Sequence, residues 1–559
     1  MVGVAVFAAL AAAVTQPAAA RDLALAGSGT RPNPSPPAPN INPLVGDRGR
    51  PNIVVIMTDD ARYDDLRFMP NVRRLIADQG VTFLNTFSPE PLCCPARASF
   101  LTGEYSHNHH VWSNTPPFGF PALHDKQTIA VWLHRAGYDT DFLGKYLNGY
   151  GNRLRRNGKP SLRYVPPGWT DWRAAVHGVG GAVGGGLAGG TYRYYDTTLN
   201  VNGTLMPHQG GYQTYVFSRI AQDIFREEAD SPNPFFLWAS FVAPHDGLPH
   251  ESDDPQPILR ANGKLQYFGN PARPKSVWGK FDREIPHAQG YRGEKNVSDK
   301  PFFIRDLPPL THAELLAVRE DERQRAEALS IVDQQVERMV HVLRQTGELS
   351  NTYLIFTSDN GYFLGEHRMV EGKVLPYEPS LRVPLVMRGP GIPHGQVRTD
   401  PFMIPDFAPT FLQIAGLPPK KRIDGVSMLD VAEHGDRGWT RGILTETGPR
   451  EVRGSTSESP NFQVKQHGAS RLRFSQGVRT GNYLYVHGAS GYRELYDLRS
   501  DPRELRNLVH RRSERRVVHA LQHVLDRLRN CTGAGCAVPL PKFLQTKHPA
   551  PPLPPGSYD

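Results

Sequence analysis

The sequence predicts an α/β fold: a large mixed, mostly parallel sheet flanked by helices, with a smaller C-terminal α+β subdomain containing an antiparallel sheet. Three observations lead there. Residues Ile53 to Met57, Phe235 to Val242 and Tyr353 to Thr357 are continuous apolar runs, as parallel strands buried on both faces require. Each run leads into polar, reactive residues: Asp59-Asp60, Pro244-His245 and Asp359-Asn360. The carboxyl ends of strands are where open α/β sheets carry their sites. Finally, a helical repeat (Leu329, Val332, Val336, Met339, Val340, Leu343) feeds the third run, as a helix-to-strand connection does.

The elements follow in order. Met1 to Val14 is apolar, and Ala18-x-Ala20 offers a small-residue cleavage site, so residues 1–20 read as an export signal and the protein as secreted. Residues 21–50 are rich in Pro, Asn and Gly and read as a linker without a core. The main domain is expected over 51–440. Within it, Thr311 and Glu314 form a capping box for the long helix, and Gly347 ends it. Gly178 to Gly190 reads as a mobile surface insertion. It lacks the Gly-Lys-Ser/Thr ending of a phosphate loop, which argues against nucleotide binding.

A C-terminal subdomain is expected over 441–536. Gly477 to Val486 and Arg493 to Leu498 supply its strands, and a helix runs from about Glu514 to Leu528. The proline-rich tail, 537–559, is expected to be loosely attached. Later segments are too short or too polar to span a membrane.

The net charge of +9 over 559 residues is compatible with a solvated surface and also with sulfated or other anionic ligands. Zinc-finger spacings and basic-aromatic strips of nucleic-acid binders are missing. Of the four cysteines, Cys531 and Cys536 enclose a Thr-Gly-Ala-Gly loop able to close as a disulfide, which fits an exported chain. Adjacent Cys93 and Cys94 are too close for a relaxed bridge.

The most informative stretch is Leu92-Cys-Cys-Pro-Ala-Arg97, followed by Ala98 to Gly103, which reads as a short amphipathic helix. A group at Cys93 would sit at that helix's positive end, favourable for a developing anion. Arg97 offers a planar fork for an oxyanion. Asp59, Asp60, Asp359 and Asn360 offer hard oxygen ligands for a divalent cation, Ca²⁺ first and Mg²⁺ second. A soft thiolate suits that shell poorly, whereas an aldehyde hydrate at Cys93 would complete it with oxygen. Lysine is scarce, 14 of the 64 cations, which draws attention to Lys145 and Lys373 as ligands for a tetrahedral oxyanion. His245 can hydrogen-bond or move a proton near neutral pH. The cluster His107-Asn108-His109-His110 is expected to line the pocket mouth.

The pattern C-x-P-x-R at Cys93, with Leu92 to His110, Gly144 to Gly149, Ser358 to Tyr362 and Val383 to Pro393, resembles the type I sulfatases of the alkaline phosphatase superfamily. The similarity is to the N-acetylglucosamine-6-sulfatase and arylsulfatase branch and covers about 51 to 510. It implies that Cys93 is converted to formylglycine by a formylglycine-generating enzyme. It also implies that Asp59, Asp60, Cys93, Asp359 and Asn360 hold Ca²⁺, and that Arg97, Lys145, His245 and Lys373 bind a sulfate ester. Many members carry a histidine two residues after the lysine; Leu147 stands there, leaving His107 or a neighbour to act as base. Alternatives are a phosphonate or phosphate monoesterase of the same superfamily, or a catalytically silent protein binding sulfated glycans.

Overall fold

The computed structural model describes residues 49–177, 189–260, 263, 265–290, 294–448, 475–488 and 491–553. The expected signal, nearly all of the linker and most of the glycine-rich run fall outside them. A ten-stranded sheet runs in the order Gln396–Arg398, Val81–Phe83, Leu385–Arg388, Thr352–Ser358, Asn52–Asp59, Phe235–Pro244, Asp139–Lys145, Asp171–Ala175, Asp196–Val201 and Thr204–Gln209. The five strands from Thr352–Ser358 to Asp171–Ala175 are mutually parallel. Antiparallel strands flank them on both sides. The three apolar runs are adjacent here, and every residue of their strands is buried.

The helices His312–Gln345 and Gln213–Ala229 pack on one face of the sheet. The first carries the expected capping box, Thr311 accepting from Glu314 N while Glu314 accepts from Thr311 N. Helices Cys93–Thr102, Ile129–Arg135 and Phe407–Ile414 cover the other face. The first of these differs from expectation in two ways. It begins at Cys93 itself, and all ten of its residues are buried rather than one stripe. It is wedged between the sheet and the Phe407–Ile414 helix, with Phe100 against Trp238 and Phe407.

The second sheet is four-stranded and antiparallel: Ile443–Thr447, Ser475–Arg479, Tyr483–Gly488 and Arg493–Asp497. Helix Arg515–Leu528 packs on it through Val517, Leu521, Val524, Leu525 and Leu528. Cys531 and Cys536 are disulfide-bonded, with Cα atoms 5.0 Å apart. The tail beyond 537 is not loose as far as Leu553. Leu540, Leu544 and Ala550 are buried, Thr546 pairs with Trp439, and Tyr63 donates to Leu553 O. Its scattered apolar residues, few as they are, fill the edge of the second sheet's core.

Candidate active site

The register of the parallel strands places the site. Thr58 lies opposite Ser358 and Gly144 opposite Ser240, so Asp59, Lys145, His245 and Asp359 emerge at one edge of the sheet. Asp60 follows in the left-handed region at φ 72°, a conformation non-glycine residues adopt at a cost and chiefly at sites. Asp60 N and Asn360 N both donate to Asp359 Oδ1, at 3.2 and 2.8 Å, and Asn360 Nδ2 donates to Asp60 Oδ1 at 2.7 Å.

Gly144 is needed where it stands. At φ 99°, a Cβ there would lie 2.0 Å from Ser240 O, so only glycine lets the two strands meet while turning Lys145 onto Asp59 Oδ2, with which its ammonium bonds.

Cys93 opens its helix with Sγ 3.4 Å from Asp59 Oδ1 and 2.9 Å from Lys373 Nζ. Lys373 also donates to Asp60 Oδ1 and Oδ2 at 2.6 and 2.8 Å. It reaches this position on a loop with three non-glycine residues at positive φ, His367 at 53°, Arg368 at 61° and Val374 at 94°. Such strain persists only under firm anchorage. Glu366 pairs with Arg62 at 2.9 Å, and His367 bonds Glu294 at 3.0 Å. Arg368 donates to the carbonyls of Glu294, Lys295 and Leu307.

Arg97 sits deeper than the motif implied. Its Nε donates to Asp359 Oδ2 at 2.8 Å, and Nη1 donates to Lys145 O and Ser240 Oγ, both at 2.7 Å. Only Nη2 turns toward Asp59, at 3.8 Å. Its guanidinium therefore braces the carboxylates and the lysine backbone. His245 Nε2 lies 3.8 Å from Asp60 Oδ2, while Nδ1 is 2.9 Å from Asp246 Oδ1.

Charges decide the protonation states. Burial opposes ionisation of Asp59, but Lys145, His245, Arg97 and Lys373 together hold its carboxyl well below the usual range. Burial and the Asp59 charge push the Cys93 thiol up to about 11. Burial and the neighbouring Asp59 raise Asp359 to about 6. Burial disfavours charge on His245, yet Asp59, Asp246 and Asp60 raise its pKa well above that of free histidine.

The donor set fits a hard divalent cation. Asp59, Asp60 and Asp359 each present a carboxylate oxygen within 4.8 Å of the others, all buried. Asn360 Oδ1 is buried with no hydrogen-bond partner among the described residues, as expected of an atom reserved for a ligand.

The histidine cluster does not line this site. His109 is buried against Ser99 Oγ at 2.9 Å, and burial lowers its pKa to about 3. His107 bridges Glu446 at 3.1 Å and Cys531 O at 3.0 Å. The cluster ties the Cys93 helix to the C-terminal sheet, and the partners of His107 are Glu446 and Cys531 O rather than groups of the site. Three residues at the site carried no sequence signal: Ser240, Asp246 and Tyr192. The Tyr192 ring stacks on His245, lies 4.9 Å from Lys145 Nζ, and accepts at its hydroxyl from Asn148 Nδ2 at 2.8 Å.

A family model described as Sulfatase matches residues 51–417. The chain belongs to the sulfatase family. This sulfatase is 34% identical over 426 residues to the extracellular sulfatase SULF-1 homolog of Drosophila melanogaster, covering 73% of this chain and 34% of the relative. It thus spans about a third of that protein's length. To human N-acetylglucosamine-6-sulfatase it is 29% identical over 526 residues, 88% of this chain and 86% of the relative. Among solved structures, a protein in complex with its substrate D-glucosamine-2-N,6-O-disulfate matches with a TM-score of 0.62 at 24% identity, over 86% of this chain and 97% of the other. That likeness establishes the shared fold.

Proposed function

We propose that this sulfatase hydrolyses sulfate monoesters of sugars such as N-acetylglucosamine-6-sulfate, or of aryl alcohols, at the site built around Cys93. The observation that carries the reading is the convergence of Cys93, two lysines, a histidine and three carboxylates at one sheet edge. Two cationic ammonium groups suit the oxygens of a sulfuryl group. The thiol, with its pKa near 11, is protonated at neutral pH and poorly nucleophilic. The reading therefore takes the nucleophile to be formylglycine formed from Cys93, whose hydrate would offer a hydroxyl to sulfur.

Asp59, Asp60, Asp359 and Asn360 would hold Ca²⁺, with Mg²⁺ second, and the cation would neutralise charge on the sulfate oxygens. Lys373, donating to both Asp60 and Cys93, orients the nucleophile. Lys145 and Lys373 would bind sulfuryl oxygens. His245, beside Asp246, would protonate the departing alcohol oxygen. Arg97 keeps Asp359 and the Lys145 backbone in place.

The test is the mass of the tryptic peptide from Leu75 to Arg97 together with turnover of aryl and sugar sulfates. A loss of about 18 Da from the thiol form, with sulfate release, supports the reading. An unmodified thiol in active enzyme removes the proposed nucleophile. A faster rate on phosphonate or phosphate monoesters moves the assignment to phosphorus chemistry.

A further inference from the structure

Between Asp141 and Asp171 the chain contains no acidic residue but six cations: Lys145, Arg153, Arg155, Arg156, Lys159 and Arg163. The first is the lysine on Asp59. Of the other five, Arg155 and Arg156 line a cavity of about 610 Å³, together with Tyr164, Phe120, His124 and Lys126. Among the described residues, no ion pair joins Lys126, Arg155 or Arg156 to a carboxylate, whereas the buried Arg273, Arg382 and Arg441 are all paired. The acid in the cavity, Asp125, accepts from the Tyr164 hydroxyl at 2.6 Å.

The two guanidinium groups meet neutral ring partners here rather than carboxylates. Arg156 contacts the His124 ring, and partial burial together with Arg156, Arg422 and His110 lowers the His124 pKa. Arg155 lies over the Tyr164 ring at 4.0 Å, leaving an aromatic surface beside fork-shaped donors. Unneutralised cations around an apolar floor favour an anionic ligand with a ring-shaped body. One lining residue, Phe120, reaches the segment that follows Lys145. Phe120 packs edge-on against Tyr146, the residue after Lys145, and against Tyr150.

We propose that this basic cavity is a second anion subsite, binding a sulfate or carboxylate group of a multiply charged oligosaccharide whose scissile ester lies at Cys93. The inference rests on the sulfatase reading above and deepens it: the substrate is an anionic glycan chain rather than an isolated monosulfate. Its rim cations fix the position of a neighbouring sugar, while the sulfuryl group is handled by Lys145 and Lys373.

The experiment compares the full-length protein with the exposed double variant Lys126→Gln/Arg156→Gln and with the triple variant adding Arg155→Gln. Two readouts are used: kcat/KM on an aryl monosulfate and on a heparin-derived tetrasaccharide, and direct calorimetric binding of that tetrasaccharide at two salt concentrations. The expected result is unchanged monosulfate turnover, a tenfold or greater loss on the tetrasaccharide carried by KM, and weaker salt dependence of binding. Equal rates for variant and parent on both substrates overturn the subsite, as does equal tetrasaccharide affinity. If the parent hydrolyses no sulfate ester, the sulfatase reading fails, and the calorimetry still decides whether the cavity binds the anion.

Discussion

The Tyr192 ring stacks on the His245 imidazole with centroids 4.6 Å apart and planes 30° from parallel. The same ring covers the Lys145 ammonium at 4.9 Å. One aromatic side chain therefore orients both the proposed proton donor and one of the proposed sulfate ligands. Tyr192→Leu is expected to lower kcat by roughly fivefold or more, since such a ring pair is worth about 1 kcal/mol. The loss should grow as the leaving alcohol becomes less acidic, because a poorer leaving group depends more on protonation. Tyr192→Phe, which keeps the ring and loses the bond from Asn148, should keep most activity. A loss equal across a series of aryl sulfates would show that the stack does not act through His245.

Lys373 bridges Asp60 and Cys93 from a strained loop. Lys373→Met keeps the length of the side chain and removes its charge. It is expected to lower kcat/KM by about 10²–10³, the range for removing one preorganised charge at a reacting centre. The aldehyde content of the Leu75 to Arg97 peptide should be measured alongside, so that lost turnover is separated from lost maturation.

Asn360 Oδ1 is the uncommitted oxygen of the donor set. Removing bound metal with a chelator is expected to abolish turnover and lower the melting temperature, and added Ca²⁺ should restore both. Asn360→Leu should need at least about tenfold more Ca²⁺ for the same thermal shift. A melting temperature indifferent to chelator would remove the metal from this site.

His367 is buried between Glu294 and Glu504 and stacks on Tyr377 at 4.3 Å. Burial disfavours its charge, but the hydrogen bonds to the two glutamates outweigh that and raise its pKa to about 9. A histidine raised in this way stabilises the fold fully below its unfolded pKa of ~6.5 and loses that contribution as pH rises through about 9. His367→Gln should therefore cost about 3 kcal/mol at pH 6, the scale of breaking a buried ion pair, and much less at pH 10. Melting curves of both proteins across that range test it. A gap that does not change with pH would mean His367 is neutral in the fold.

The Cys531–Cys536 loop is held against the short helix Ser106–His109, which follows the Cys93 helix, by His107 and Asn108, which both bond Cys531 O at 3.0 Å. Replacing both cysteines by serine is expected to cost about 2 kcal/mol, the chain-entropy value for so short a loop. Activity at 25 °C should survive, since the loop braces the helix end remote from Cys93; urea melts and steady-state rates would show the contrast.

Much of the site was readable because its residues are local punctuation on strong periodic elements. Asp59, His245 and Asp359 each follow an apolar run, and a parallel sheet must bring such run ends to one edge. Lys145 and Lys373 stood out only by scarcity and by resemblance. The behaviour of Arg97 was not readable, because a motif gives spacing while the direction of a guanidinium depends on which carbonyls and carboxylates the fold leaves nearby. The histidine cluster misled for the same reason: its partners, Glu446 and Cys531, lie more than 300 residues away in sequence. The tail misled because proline-rich composition speaks of local stiffness and says nothing about the few apolar side chains that dock.

The sequence by itself determined the layered α/β architecture, the capped helix feeding the Thr352–Ser358 strand, and the acidic residues at strand ends. These are consequences of periodicity and residue chemistry over short spans. Tertiary structure decided which charges meet. Register at Thr58 and Ser358, the clearance that Gly144 provides, and a loop anchored through Glu294 and Glu366 set Lys373, Arg97 and Tyr192 to within ångströms of their partners. Coulomb energies in a buried site vary over that distance, so the chemistry of these side chains is fixed only once distant segments pack together.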